Sequence, residues 1–143
     1  MSAAANKKLV QQVYTDSANW SGTTFVDNLA EDATWIVTGQ YSWSHEFKGP
    51  DAINNGLIGH FRSFFAARPR TLAFNFIAED DYVVVEARGD NVTRSGQRYD
   101  NHYCMVWRIE NGRIKVIKEY CDSALVERVL GPFPAERKVA AAV

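Results

Sequence analysis

Residues Tyr99–Asp122 read YDNHYCMVWRIENGRIKVIKEYCD, two β-rich runs meeting at Asn111-Gly112. Both central residues of a type I′ turn need φ > 0, which Asn and Gly tolerate, so this dipeptide marks a two-residue hairpin. Such a loop predicts a register: Glu110 opposite Arg113, Trp107 opposite Val116, Tyr103 opposite Tyr120, and Asn101 opposite Asp122. Side chains alternate along a strand. One face is therefore expected to carry Tyr103, Met105, Trp107, Val116, Lys118 and Tyr120, with Asn101 and Asp122 at one end. The other carries His102, Cys104, Val106, Ile117, Glu119 and Cys121. The first face is aromatic and apolar, with an amide, two phenols and a carboxylate gathered at one end. A wall of this kind is how a small-molecule pocket is built.

The chain has 143 residues, which is one domain with enough interior for a real core. Its 16 basic and 17 acidic residues nearly cancel and no basic run occurs, so neither nucleic acid nor an anionic membrane is expected as a partner. No apolar run reaches spanning length and no charged-then-apolar leader is present, which points to the cytoplasm. Asn19-Trp20-Ser21 and Asn91-Val92-Thr93 match the glycosylation pattern but carry little weight without a secretory signal. In the predicted register Cys104 and Cys121 share a face as diagonal neighbours, with Cα atoms about 7–8 Å apart. A disulfide needs less than about 7 Å, so free thiols in a reducing compartment are expected. Three scattered histidines and these two cysteines make no metal-ligand spacing, and no metal or cofactor is expected.

Upstream, Leu9, Val10, Val13 and Tyr14 recur at helical spacing within Asn6 to Ala18, and Phe25, Val26 and Leu29 mark a short second helix. Thr34 to Thr38 is β-rich and ends at Gly39. Gly49-Pro50-Asp51 opens a third helix along Ile53, Leu57, Phe61, Phe64 and Phe65. Leu72 to Ala78 and Tyr82 to Val92 read as strands, with Leu72, Phe74 and Phe76 sharing one side of the first. Ser95-Gly96 turns the second into the Tyr99 strand. A last helix covers Ser123 to Leu130, and residues 131–143 read as a loose tail. Helices followed by an antiparallel meander argue an α+β fold with helices on one sheet face.

Several of these pieces carry a family resemblance. They are the Trp35 strand ending at Gly39, the Gly49-x-x-Ala52-Ile53 helix entry, Gly96-x-x-Tyr99-x-Asn101-x-Tyr103, Gly112-x-Ile114, and Glu119-Tyr120-x-Asp122. Over residues 6 to 130 the chain resembles the SnoaL-like branch of the nuclear transport factor two-like superfamily, which includes ketosteroid isomerases, polyketide cyclases and limonene epoxide hydrolase. The resemblance implies a cystatin-like roll, a cone of curved, mostly antiparallel sheet wrapped round about three N-terminal helices. It also implies an internal pocket and frequent dimerisation through the outer sheet face. The superfamily contains both enzymes and non-enzymes, so the fold leaves function open. Ketosteroid isomerase chemistry asks for a carboxylate base at the end of the first strand, where this chain has Val37-Thr38-Gly39-Gln40-Tyr41. Limonene epoxide hydrolase is closer: Asp122 matches its second aspartate, and Arg88-Gly89-Asp90 has the form of its Arg-x-Asp pair, although a different hairpin length puts Glu86-Ala87-Arg88 at that position.

If Ser95-Gly96 is a two-residue turn, Arg88, Asp90 and Glu86 share the concave face with Asp122, Tyr103 and Asn101. Charges gathered there are either a site with mutually shifted carboxylates or a structural ion-pair network. If the loop has three residues, the faces exchange. Asp122 also precedes a helical pattern, where aspartate is a preferred N-cap. An apolar stripe of Val83, Val85, Ala87, Cys104, Val106, Ile117 and Cys121 is then the outer face and the expected homodimer contact.

These readings converge on a homodimeric domain whose pocket takes a small, largely apolar molecule. Asp122 with Asp90 or Glu86 would handle protons and Arg88 would orient them. Tyr103, Tyr120 and Asn101 would hold a substrate oxygen, with Trp35, Tyr41 and Tyr14 lining the pocket. Isomerisation, cyclisation and epoxide hydrolysis all fit such a cofactor-free site, and a non-catalytic ligand-binding or interaction module is the competing class.

Overall fold

The structure, a computed structural model, describes residues 2–141. It begins with helices α1 (Ala3–Ala18) and α2 (Thr24–Asn28) and strands β1 (Leu29–Val37) and β2 (His45–Lys48). Helix α3 starts as a wide π-helical stretch (Ala52–Ile58) and tightens into an α-helical turn (Gly59–Arg62). Strands β3 (Thr71–Glu79), β4 (Tyr82–Gly89), β5 (His102–Glu110) and β6 (Arg113–Cys121) follow, then helices α4 (Ser123–Val129) and α5 (Ala135–Ala141). All six strands form one sheet in the order β2-β1-β6-β5-β4-β3. β1 lies parallel to β6, and the other neighbours are antiparallel. The sheet curves without closing and the helices lie beneath it, an α+β cone.

The Asn111-Gly112 hairpin forms with both residues at positive φ, 52° and 75°, but its register holds for only two pairs. Glu110 faces Arg113 and Ile109 faces Ile114; then Arg108 faces Val116 and Trp107 faces Ile117. Lys115 is an extra residue, a β-bulge. Ile114 and Ile117 are both wholly buried, and strict alternation would send one of them outward. Beyond the bulge every side chain of β6 faces opposite to the uninterrupted register, because a one-residue slip exchanges the faces. Ile117, Glu119 and Cys121 thus point beneath the sheet, and Lys118 and Tyr120 point out.

The turn between β4 and β5 has three residues, Arg94-Ser95-Gly96, since Thr93 N–H donates to Gln97 O at 2.8 Å and Val92 bridges Arg98. Ala87 therefore faces Tyr103, and Val85 faces Met105. Val83, Val85 and Ala87 are core residues, not the outer stripe, whereas Glu86 and Arg88 are exposed. The outer surface instead carries Val84, Val106 and Val116 beside exposed Tyr82, Ile77 and Tyr120. A second bulge at Phe74 leaves that ring 69 % exposed and separates it from inward-facing Phe76.

Boundaries shift where caps and packing decide them. Ser2 Oγ accepts from Ala5 N–H at 3.1 Å, so α1 starts at Ala3 and not at Asn6. β1 begins at Leu29, which helical spacing assigns to α2, and β2 forms within the aromatic-rich segment from Gln40 to Lys48 that joins Gly39 to Gly49. The segment after residue 130 is packed: Trp43 Nε1 donates to Gly131 O at 2.8 Å and the buried Phe133 ring lies 4.9 Å from Trp43. Arg137 and Lys138 reach Asn55 O and Ser44 O at 2.9 and 3.0 Å. Residues 142–143 of the expected tail lie outside the described residues. Among those described, no helix is long and apolar enough to cross a membrane.

Candidate functional site

Between the inner sheet face and helices α1 to α3 lies a cavity of about 480 Å³. Its walls are mainly aromatic and apolar: Tyr14 from α1, Phe25 from α2, Trp35 from β1, Leu57 and Phe61 from α3, and Met105 and Trp107 from β5. Two carboxyl groups belong to the lining, Asp16 at its rim and Glu119 in the wall under the sheet. The strand of Glu119 is clamped on both sides. Met105 faces Glu119 across β5 and Val37 faces it across β1, and Thr38 donates to Glu119 O from both N–H (3.1 Å) and Oγ1 (2.7 Å).

Burial disfavours the charged form of Glu119 and raises its pKa from 4.5 to about 7. Trp35 Nε1–H, itself buried without a protein partner, lies close enough to oppose that rise, as does Cys121. The Cys121 thiol donates toward Glu119 Oε2 at 3.8 Å. It sits 3.5 Å from the Tyr41 hydroxyl, which can donate to it in turn. Burial, then Glu119, push the Cys121 pKa up to about 12, so it is a neutral thiol and no nucleophile.

Four phenols surround the carboxyl, and burial raises the pKa of Tyr14, Tyr41, Tyr99 and Tyr103 alike. All keep their protons at neutral pH. Tyr14 OH accepts from Trp107 Nε1 at 3.3 Å, and Tyr99 OH accepts from Asn101 Nδ2 at 2.9 Å. Each of these two hydroxyls therefore has its own proton left to donate. The cavity joins a near-neutral acid to neutral hydrogen-bond donors.

Of the residues singled out in the sequence, Trp35, Tyr41, Tyr14 and Tyr103 line this cavity. Asn101 is wholly buried behind it, locking β5 to the end of β6: its Oδ1 accepts from Asp122 N–H at 3.0 Å and its Nδ2 donates to Asp122 O at 3.2 Å. Tyr120 is 47 % exposed on the outer face. Glu86 is outside as well, accepting from Asn75 Nδ2 at 3.0 Å, and Arg88 faces His102 there. Asp90 binds Arg70 at 2.5 Å and Arg98 at 2.7 Å. These two guanidiniums, Arg98 first, hold its carboxyl below the usual range. Asp122 is exposed and caps α4, accepting from Leu125 N–H at 3.2 Å. The structure thus brings together Tyr14, Trp35, Tyr41 and Tyr103, but neither Tyr120 nor any of the four charged residues. The residue that spacing missed is Glu119, and the available signal was Val116-Ile117, two adjacent apolar residues where strict alternation allows one. Among the described residues, no group of three or more His, Cys, Asp or Glu side chains could hold a metal ion.

A family model described as a SnoaL-like domain matches residues 10–117. No curated protein matches the chain. Among solved structures the chain is similar to Bal32a from a soil-derived mobile gene cassette, with 22 % identity, TM-score 0.77, and 89 % of this chain and 97 % of that one covered. It is also similar to a candidate SnoaL-like polyketide cyclase from Jannaschia sp. CCS1 (17 % identity, TM-score 0.73, 92 % and 95 % covered). A candidate isomerase from Bacillus subtilis is a third (16 % identity, TM-score 0.75, 93 % and 99 % covered). At these identities the likeness shows the fold.

Proposed function

The chain belongs to the SnoaL-like domain family, and from that premise we propose that its cavity binds a small, largely apolar molecule with which Glu119 exchanges a proton. The observation that carries this reading is the carboxyl group held near pH 7 in an aromatic chamber. At neutral pH both its forms are populated, the condition for general acid–base work. Resemblance to ketosteroid isomerase asks for a base at the end of the first strand, and Glu119 stands beside Val37, the last residue of β1. Proton abstraction next to a carbonyl moves the proton to Glu119 and the electron pair to the carbonyl oxygen. In this reading the hydroxyls of Tyr14 and Tyr99 and Trp35 Nε1–H would donate to that oxygen. Return of the proton to another carbon is an isomerisation; attack of the carbanion on a second carbonyl of the same molecule is a cyclisation, in which that carbonyl's π pair becomes an alkoxide that takes the proton back from Glu119. Likeness to a candidate cyclase and a candidate isomerase favours this carbonyl branch over epoxide opening. Proton transfer of this kind needs no cofactor.

Screening polycyclic ketones, linear polyketones and epoxides for thermal stabilisation supplies the substrate. Glu119→Gln should then bind it as the parent does and turn it over about a hundredfold or more slowly. Parent-like turnover by that variant would refute the assignment. The competing reading, a non-catalytic ligand-binding module, is favoured by the position of Glu86, Arg88, Asp90 and Asp122 outside the cavity. A ligand that binds tightly and emerges unchanged would support it. We place the protein in the cytoplasm as a homodimer joined through the outer sheet face, in keeping with two free cysteines and the apolar stripe around Val84 and Val106.

A further inference from the structure

The exposed members of the cavity lining mark its mouth: Gly22, Thr23, Val26, Asn55, Arg62 and Arg68. The two arginines differ from their neighbours in what they hold. Arg70, close in sequence, is fully committed, paired with Asp90, donating to Ala18 O at 3.3 Å and stacked 4.5 Å from the Trp20 ring. Arg98 is shared between Asp90 and Asp100. Among the described residues neither Arg62 nor Arg68 makes a side-chain hydrogen bond or ion pair.

Arg68 is nonetheless not adrift, because Trp20 Nε1 donates to its carbonyl oxygen at 2.8 Å and fixes its backbone at the rim. The two guanidiniums are near enough that Arg68 adds to burial in lowering the pKa of Arg62. Asp16 is the one carboxylate at the rim. It lies in the field of Arg68, but its oxygens are taken by Thr24 N–H at 3.1 Å and Gln12 Nε2 at 2.8 Å. Two guanidiniums that form no ion pair stand at the entrance of an apolar funnel against the single carboxylate of Asp16, and the net positive charge focuses a positive field there. Guanidinium groups pair with carboxylate, sulfonate or phosphate oxygens through charge-assisted bonds.

We propose that the ligand of this cavity is an amphiphilic anion, its apolar body under the sheet near Glu119 and its acidic group bound between Arg62 and Arg68 at the mouth. This rests on the cavity reading above and adds the charge of the ligand to it. Two dyes with one ring system separate the claims: anilinonaphthalene sulfonate and its uncharged counterpart phenylnaphthylamine. Trp35, Trp43 and Trp107 line the cavity, so quenching of indole fluorescence reports entry of either dye.

Replacing both arginines, Arg62→Gln with Arg68→Gln, should weaken the sulfonate about tenfold or more and leave the neutral dye within about twofold. Added salt should weaken the sulfonate in the parent alone. Equal effects on the two dyes, or a sulfonate affinity indifferent to the double substitution and to salt, would overturn the proposal. A neutral dye that still quenches the indoles would leave the cavity reading standing in that case. If neither dye quenches the indoles, both readings fall.

Discussion

Met105 and Glu119 are cross-strand partners on the cavity side of β5 and β6. Counting back from the Asn111-Gly112 turn without interruption would give Met105 the partner Lys118. The extra residue Lys115 makes the difference between a lysine and a carboxyl group under the sheet. Its own side chain leaves the sheet to pair with Asp32 at 2.6 Å.

Deleting Lys115 removes the bulge residue and nothing else from the alternation: Ile114 still points in, Val116 out and Ile117 in. That deletion is expected to fold, at a cost of about 1–3 kcal/mol, with the Glu119 titration retained. Deleting Lys118, which is exposed on the same strand, sends Glu119 outward and Tyr120 inward. Its cost should exceed about 4 kcal/mol. Urea denaturation of both variants checks the contrast, which disappears if the bulge does not set the faces.

Glu119 makes stability depend on pH in a definite direction. The unfolded chain releases this proton near 4.5, while the folded protein keeps it until about pH 7. Stability from holding the neutral acid is full below pH 4.5, is lost as pH rises to about 7, and stays lost above. The loss is on the order of 2 kcal/mol, allowing for the part of the group that faces the cavity. Glu119→Gln should therefore match the parent near pH 4.5 and be more stable than it at pH 8. Burial lowers the pKa of His45 and His60, so these two destabilise the fold as pH falls below about 6.5. They do so in parent and variant alike, and the difference between the two curves belongs to Glu119. Parallel curves from pH 4.5 to 8 would contradict the buried-acid assignment.

Asp122 separates capping from chemistry. Asn caps as well as Asp does, so Asp122→Asn should keep stability within about 0.5 kcal/mol and leave turnover intact on any substrate found. Asp122→Ala should cost about 1 kcal/mol through the lost bond to Leu125 N–H. A large drop in turnover for Asp122→Asn at unchanged stability would return this carboxylate to the catalytic set.

Cys104 and Cys121 lie on opposite faces, since Cys104 faces Tyr120 and Cys121 faces Tyr103. They cannot pair, and for a different reason from the diagonal spacing expected of an unbroken hairpin. With its pKa near 12, Cys121 should resist maleimide in the native protein at neutral pH. Cys104 tests the assembly: it is protected in a dimer covering the outer face and labels readily in a monomer. Light scattering at micromolar concentration gives the independent reading, and a monomer there would sink the homodimer.

Local chemistry alone determined a good deal. Asn111-Gly112 specified the hairpin, Gly49-Pro50-Asp51 opened α3, and the spacing of Val10 and Tyr14 put one side of α1 into the core. The family and its cone were legible in the glycines and aromatics around residues 96–122, because turn geometry and side-chain period are properties of a few neighbouring residues. Which charges reach the interior is a different kind of question. It depends on strand register, and register changed at two places that local pattern leaves ambiguous, the bulge at Lys115 and the three-residue loop at Arg94-Ser95-Gly96. Each change costs the chain little locally but exchanges every side chain beyond it. The choice was made by what could be buried together, Ile114 with Ile117 and Val83 with Val85 and Ala87. Glu119 entered the cavity, and Glu86 and Arg88 left it, as a consequence of that packing.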